Sequence, residues 1–296
     1  MNVLTANILV ILLAWYINIF ITFEFQVFMK RLLLLAVLPM FLMGNTDKAH
    51  AQKHRTTQVI AHRCFHENGS NDKEYPENSL AAFKRAQNLG IWGAEIDVWI
   101  TPDDVVVVNH NATVPTDKKN RKLEFTDYEN LKDIRLANGE VLPTLESLLQ
   151  AMKESSSDMK LVLEIKSHAK KKNNERVVNK SIELVRKYGL ENQVVWIAFS
   201  YDNCKMIVSA LPDAMVMYLN GDKTPKSCFK DGIRGIDYHM NVTFKKYVRQ
   251  AHKLGMVVNC WTVNSVSDMN KFLDLGVDYI TTNEPDVLKE LISKKR

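Results

Sequence analysis

Cysteine is scarce in this chain. Cys64, Cys204, Cys228 and Cys260 are spread over 296 residues. Their spacing suggests neither a zinc site nor a disulfide framework. Cys260 sits in the apolar run before Trp261 and reads as core. Cys204 and Cys228 are candidates for a bridge, with unpaired thiols the simpler reading. A block of one charge is missing too. The net charge is +5, and the basic residues are scattered. The one dense run, Lys170-Lys171-Lys172, reads as a solvated loop after a strand. The stacked aromatic and basic layout of a nucleic-acid binder is absent, so no nucleic acid is expected as a partner. Apolar residues are not lacking. At 46% hydrophobic and 25% charged, the composition is that of a globular protein and excludes a disordered one.

The first fifty residues differ in kind from the rest. From Asn7 to Phe28 the chain is almost wholly apolar, with Glu24 its sole charge. Then come Met29-Lys30-Arg31, an apolar run from Leu32 to Met43, and Ala49-His50-Ala51. A positive start, a short apolar core and a small-x-small end are the parts of a secretory signal peptide. Residues 29–51 are therefore read as a signal peptide, and 1–28 as an upstream extension. The other reading of 1–28 is a transmembrane segment, near the roughly 20 residues a spanning helix needs. Either way residues 52–296 are exported, periplasmic or secreted. Membrane contact is expected only through an uncleaved N-terminal segment.

From Val59 onward, short β-branched or apolar runs alternate with stretches of helical period. Strands are expected at Val59–Arg63, Ala94–Ile100, Leu161–Lys166, Val194–Ser200, Ala214–Leu219, Gly235–Tyr238, Met256–Val263 and Asp278–Thr282. Helices are expected at Asn78–Leu89, Thr144–Met152, Asn174–Tyr188, Tyr201–Ala210, Thr243–Leu254, Ser267–Leu275 and Pro285–Lys294. Several of them stop at glycine. Eight strands alternating with helices over about 245 residues fit a single (β/α)8 TIM barrel, an α/β fold. The patternless stretch Asn111–Val141 reads as a small excursion after strand two, with a short helix near Asp127–Ile134.

Within that frame, Glu95 and Asp97 stand two apart on strand two and so share a face. Two carboxylates facing one way are costly unless something positive lies between them. A hard divalent cation is the natural candidate, since it takes oxygen ligands. The plain alternative is an edge strand facing solvent. His62 and Arg63 end strand one, and His110 follows the apolar run after strand two. Glu164 and Lys166 end strand three, Trp261 ends strand seven, and Thr281 to Asn283 end strand eight. All lie at the carboxyl ends of strands, where TIM barrels carry their active sites.

These residues sit in segments that resemble the glycerophosphodiester phosphodiesterase family. The segments are Ala61-His62-Arg63, Pro76-Glu77-Asn78-Ser79, Gly93-Ala94-Glu95-Ile96-Asp97-Val98, Val107-Val108-Asn109-His110, Leu142-Pro143-Thr144-Leu145-Glu146, Leu163-Glu164-Ile165-Lys166, Trp261-Thr262-Val263-Asn264 and Gly276-Val277-Asp278. They occur in the family's order and span nearly all of the mature chain. The resemblance implies that Glu95, Asp97 and Glu164 hold one divalent cation, calcium or magnesium. Three carboxylates without a Cys or His cluster agree with such an ion. The other reading of Glu164 is a salt bridge to Lys166. His62 and His110 would be the acid/base pair, a task that suits histidine near neutral pH. Of the other histidines, His66, in the loop after strand one, is the least easily dismissed, and His239, at the end of strand six, could also touch the site.

By the same resemblance Arg63 and Lys166 would contact the phosphate. Glu77 would lie near metal and substrate, or else serve as a helix-start carboxylate. Trp261 would wall the glycerol or alcohol, or else pack the barrel mouth. Three residues depart from the family's pattern. Cys64 stands in place of Gly, Asn111 in place of Asp, and Asn283 in place of Asp. The expected activity is hydrolysis of a small glycerophosphodiester to sn-glycerol 3-phosphate and an alcohol. The alternatives are a phospholipase D-like enzyme on intact phospholipids, a non-catalytic phosphodiester-binding barrel, and a barrel enzyme using its carboxylates for proton abstraction beside a carbonyl.

Overall fold

The short apolar, β-branched runs of the sequence form the buried strands of the barrel. The computed structural model describes residues 56–67, 73–115 and 120–295. The upstream extension or transmembrane segment expected at 1–28 and the signal peptide expected at 29–51 lie outside them. The strands are β1 (Gln58–Ala61), β2 (Gly93–Ile100), β3 (Val106–Val108), β4 (Thr113–Val114), β5 (Arg121–Lys122), β6 (Lys160–Ile165), β7 (Val194–Ala198), β8 (Val216–Tyr218), β9 (Gly235–His239), β10 (Val257–Trp261) and β11 (Tyr279–Thr282). The helices are α1 (Leu80–Leu89), α2 (Leu145–Glu154), α3 (Lys171–Tyr188), α4 (Tyr201–Ala210), α5 (Pro225–Lys230), α6 (Lys245–Lys253), α7 (Val266–Leu275) and α8 (Pro285–Lys294).

Strands β1, β2 and β6 to β11 are parallel neighbours in that order. The ring closes where β1 pairs with β11, Val59 opposite Ile280. This is the expected (β/α)8 TIM barrel. Alternation along each strand sorts the side chains. Ile60, Val162, Ile197, Met217 and Val257 fill the barrel, while Leu161, Leu163, Trp196 and Ile236 face the helices. Burying one such aliphatic side chain contributes roughly 1.5–3 kcal/mol. No helix among the described residues is long and apolar enough to cross a membrane.

Several details differ from the sequence reading. Strand one stops at Ala61, because Arg63 and Cys64 adopt left-handed backbone, with φ of 49° and 68°. The six-residue α5 was not anticipated. It begins with Pro225 and a Thr224 cap, and it is too short to show a helical period. All four cysteines are buried free thiols, so Cys204 and Cys228 form no bridge.

The excursion after β2 is more ordered than its composition suggests. β3 turns back antiparallel onto β2, and β4 pairs with β5. A small core of Trp99, Val107, Val114, Leu123, Leu131 and Leu142 holds the segment down. The helix expected near Asp127–Ile134 is a 3-10 turn at Tyr128–Asn130. Two of the excursion's acids reach the barrel helices. Glu140 accepts from the backbone N–H groups of Leu80 and Ala81 at the start of α1. Glu124 accepts from Ala169 and Lys170 just before α3, a helix with no side-chain cap of its own. Unpaired N–H groups and the positive dipole end make these positions suited to a carboxylate.

Candidate active site

β2 and β6 run side by side, with Asp97 opposite Glu164. Their inward positions near the carboxyl ends carry Glu95, Asp97, Glu164 and, just past β6, Lys166. The three acids are buried, and one oxygen of each lies within 4.8 Å of the others. Lys166 Nζ is 2.6 Å from Asp97 Oδ1 and 2.8 Å from Glu164 Oε1, so the Glu164–Lys166 ion pair exists inside the acidic cluster. Glu95 Oε2 accepts from the Arg63 N–H at 2.7 Å. That bond depends on the left-handed turn at Arg63 and Cys64.

One lysine does not balance three acids. Burial, then the charges of Asp97 and Glu164, push the Glu95 carboxyl well above its ordinary range. Burial and the Asp97 charge push Glu164 up to about 8. Asp97 is the exception. Burial opposes its ionisation, but Lys166, His110 and the Asn78 amide outweigh burial and hold it below the usual range. Three buried, mutually repelling carboxylates that share a single lysine fit a hard divalent cation.

The two histidines flank this cluster. His62 follows β1 and lines the same cleft as Glu95, Glu164 and Lys166. Its Nδ1 lies 2.7 Å from Asn283 Oδ1. An Nδ1–H donated to that oxygen leaves Nε2 with a free lone pair. Burial, and next the Arg63 charge, lower its pKa to about 4. His110 is carried in by the turn after β3, where the Asn109 N–H donates to the Asp97 carbonyl. Its Nδ1 is 3.2 Å from Asn111 Oδ1. Burial lowers its pKa as well, against the raising effect of Asp97. The neutral amides Asn283 and Asn111 thus occupy the positions beside the histidine rings.

Arg63 and Glu77 form a 2.7 Å ion pair, so Glu77 meets the guanidinium at the rim. Trp261 lines the cleft, and its Nε1–H donates to the Asp237 carbonyl at 2.9 Å. His239 meets the Trp261 ring edge-on at 5.1 Å. His66 Nδ1 lies 2.7 Å from the Glu67 carbonyl. The cleft holds about 620 Å³ of open space.

Two contributors escaped the sequence reading. Asn78, with φ 61°, donates from Nδ2 to Asp97 Oδ2 at 2.9 Å and accepts from the Asp97 N–H at 3.2 Å. Asparagine tolerates left-handed backbone better than most residues, which was the available signal. Asp237 lines the cleft from β9. The alternation Gly235-Ile236-Asp237-Tyr238-His239 already put it on one face with His239.

Barrel and cleft together define a (β/α)8 barrel mouth in which three buried acids able to hold a cation stand beside two histidines. The glycerophosphoryl diester phosphodiesterase family model matches residues 69–287, and the chain belongs to that family. A glycerophosphodiester phosphodiesterase of Caldanaerobacter subterraneus subsp. tengcongensis is 28% identical over 252 residues, covering 80% of this chain and 98% of the relative. The crystal structure of a glycerophosphodiester phosphodiesterase from Parabacteroides distasonis superposes with a TM-score of 0.76 at 33% identity, covering 82% of this chain and 99% of that one. A phosphodiesterase of Oleispira antarctica, solved with the product sn-glycerol-3-phosphate, shares the fold with a TM-score of 0.69 at 22% identity. That match covers 80% of this chain and 97% of the other.

Proposed function

We propose that the chain is an exported, cation-dependent glycerophosphodiesterase that releases sn-glycerol 3-phosphate and an alcohol by two-histidine acid/base catalysis. The observation that carries this reading is the pair of neutral histidines, His62 and His110, on the cleft that holds the three-acid cluster. Glu95, Asp97 and Glu164 would hold a calcium or magnesium ion. Such an ion offsets negative charge on the phosphate oxygens. One histidine accepts the proton of the attacking oxygen, either the glycerol 2-hydroxyl or water. The other donates a proton to the leaving alcohol oxygen as its bond to phosphorus breaks. Lys166 and Arg63 face the phosphate, Lys166 as a point charge and Arg63 as a planar fork.

The test is sn-glycerol 3-phosphate release from glycerophosphocholine and glycerophosphoethanolamine with calcium, with magnesium and with chelator. Release that chelator abolishes supports the reading. No release with either ion contradicts it and favours a phosphodiester binder. Phe199, 37% exposed on the cleft wall, favours a second reading, phospholipase D-like action on intact lipid. Turnover of phospholipid vesicles in place of glycerophosphodiesters would select it.

A further inference from the structure

The mechanism leaves one buried acid in the cleft unused. Asp237 is 1% exposed. It stands on β9, four strands from β2 in either direction around the ring, and so across the barrel from Glu95 and Asp97. Its Oδ1 is buried without a hydrogen-bond partner. Asn259, its neighbour in register on β10, is largely committed elsewhere. The Asn259 Nδ2 donates to Thr281 Oγ1 at 2.7 Å, and its Oδ1 accepts from the Cys260 N–H at 2.9 Å. Ile197 and Leu219, on the cleft wall, are apolar. A buried carboxylate oxygen left unpaired costs free energy that a ligand can recover.

Given the glycerophosphodiesterase reading above, we infer that Asp237 is a specificity residue that accepts a hydrogen bond from the terminal hydroxyl of the substrate's glycerol. A phosphate held at β1, β2 and β6 points its glycerol across the barrel. The hydroxyl farthest from phosphorus then meets the far wall. The leaving alcohol has the mouth, where Phe199 is exposed. A quaternary ammonium carries no N–H and would leave the Asp237 oxygen unpaired. Burial pushes the Asp237 carboxyl up to about 7, against the Asn259 amide. Near neutral pH the acid therefore visits both protonation states. A hydroxyl, being donor and acceptor at once, satisfies either state, whereas a fixed cation satisfies only one.

The test compares kcat/KM for glycerophosphocholine and for propane-1,2-diol phosphocholine, which keeps the 2-hydroxyl and lacks the terminal one. A site built to pair a hydroxyl rejects the analogue without it, so the wild type is expected to prefer the glycerol substrate by roughly 100-fold or more. Asp237→Ala is expected to bring that ratio below roughly 10-fold, with Asp237→Asn between the two. The choline-to-ethanolamine preference stays unchanged. A wild-type ratio near one overturns the inference, and does so even if Asp237→Ala fails to fold. So does a ratio that Asp237→Ala leaves intact, or a shift in choline-to-ethanolamine preference instead. Turnover without hydroxyl discrimination defeats this inference alone. No turnover of any substrate defeats the proposed activity and this inference with it.

Discussion

The barrel holds two sets of buried acids, and they are treated in opposite ways. Glu124 in the excursion is met by two backbone N–H groups and the Asn173 amide. Burial opposes its ionisation, but the N–H groups of Lys170 and Ala169 and the Asn173 amide outweigh burial and hold its carboxyl below the usual range. Glu95 and Glu164 meet mainly one another, Asp97 and one lysine, and both are pushed up. The protein itself satisfies the first set, which is therefore structural. The second set is left short of positive charge at the end of the barrel where chemistry takes place. Being buried and acidic does not mark a functional residue; being buried, acidic and unsatisfied does.

Substitutions can break this comparison at either pole. His62→Ala touches the mouth alone and should lower kcat by roughly 100- to 10,000-fold. Stabilisation by added calcium should survive, and steady-state kinetics beside thermal melting would check both. Glu124→Ala leaves N–H donors unpaired before α3 and should cost about 2 kcal/mol in urea unfolding. Its turnover per folded molecule should stay unchanged. The Glu124 contribution is full above the unfolded carboxyl value of about 4.3. It is lost as pH falls through the lower folded value. Glu95→Gln should do the reverse in the cation-free protein, leaving stability unchanged or raising it by about 1 kcal/mol. A clear loss of cation-free stability in Glu95→Gln would erase the distinction between the two sets.

Cys64→Gly is the smallest effect. It relaxes the left-handed backbone at φ 68°, worth about 1 kcal/mol. It also empties the space of a fully buried thiol that lies 3.7 Å from the Glu95 carbonyl, at a cost of similar size. The two changes oppose, and urea unfolding should place the variant within about 1 kcal/mol of wild type.

Much of the barrel was legible because it rests on local signals. Eight apolar runs, glycine stops and the two-residue spacing of Glu95 and Asp97 depend on near neighbours in sequence. The caps by Glu124 and Glu140 join residues 45 and 60 positions apart, and no local pattern announces them. The same holds for Asn283, which departs from the family's pattern but whose contact with His62 spans 221 positions. The excursion was opaque because its small core draws single residues from scattered turns. Asp237 had a signal in its alternation, yet no second acid nearby drew attention to it.

Thermal unfolding with and without calcium, at pH 5.5 and at pH 8, tests the central distinction most directly. Without a cation, Glu164 titrates near 8. Between the unfolded value and that one, the folded chain holds a proton that the unfolded chain lacks, so cation-free stability falls as pH rises through this window. Calcium competes with that proton. The calcium-induced rise in Tm should therefore be larger at pH 8 than at pH 5.5, should vanish in Glu95→Gln, and should persist in Glu124→Ala. A rise of equal size at both pH values, or one that Glu95→Gln retains, would contradict the assignment of Glu95, Asp97 and Glu164 as the cation site.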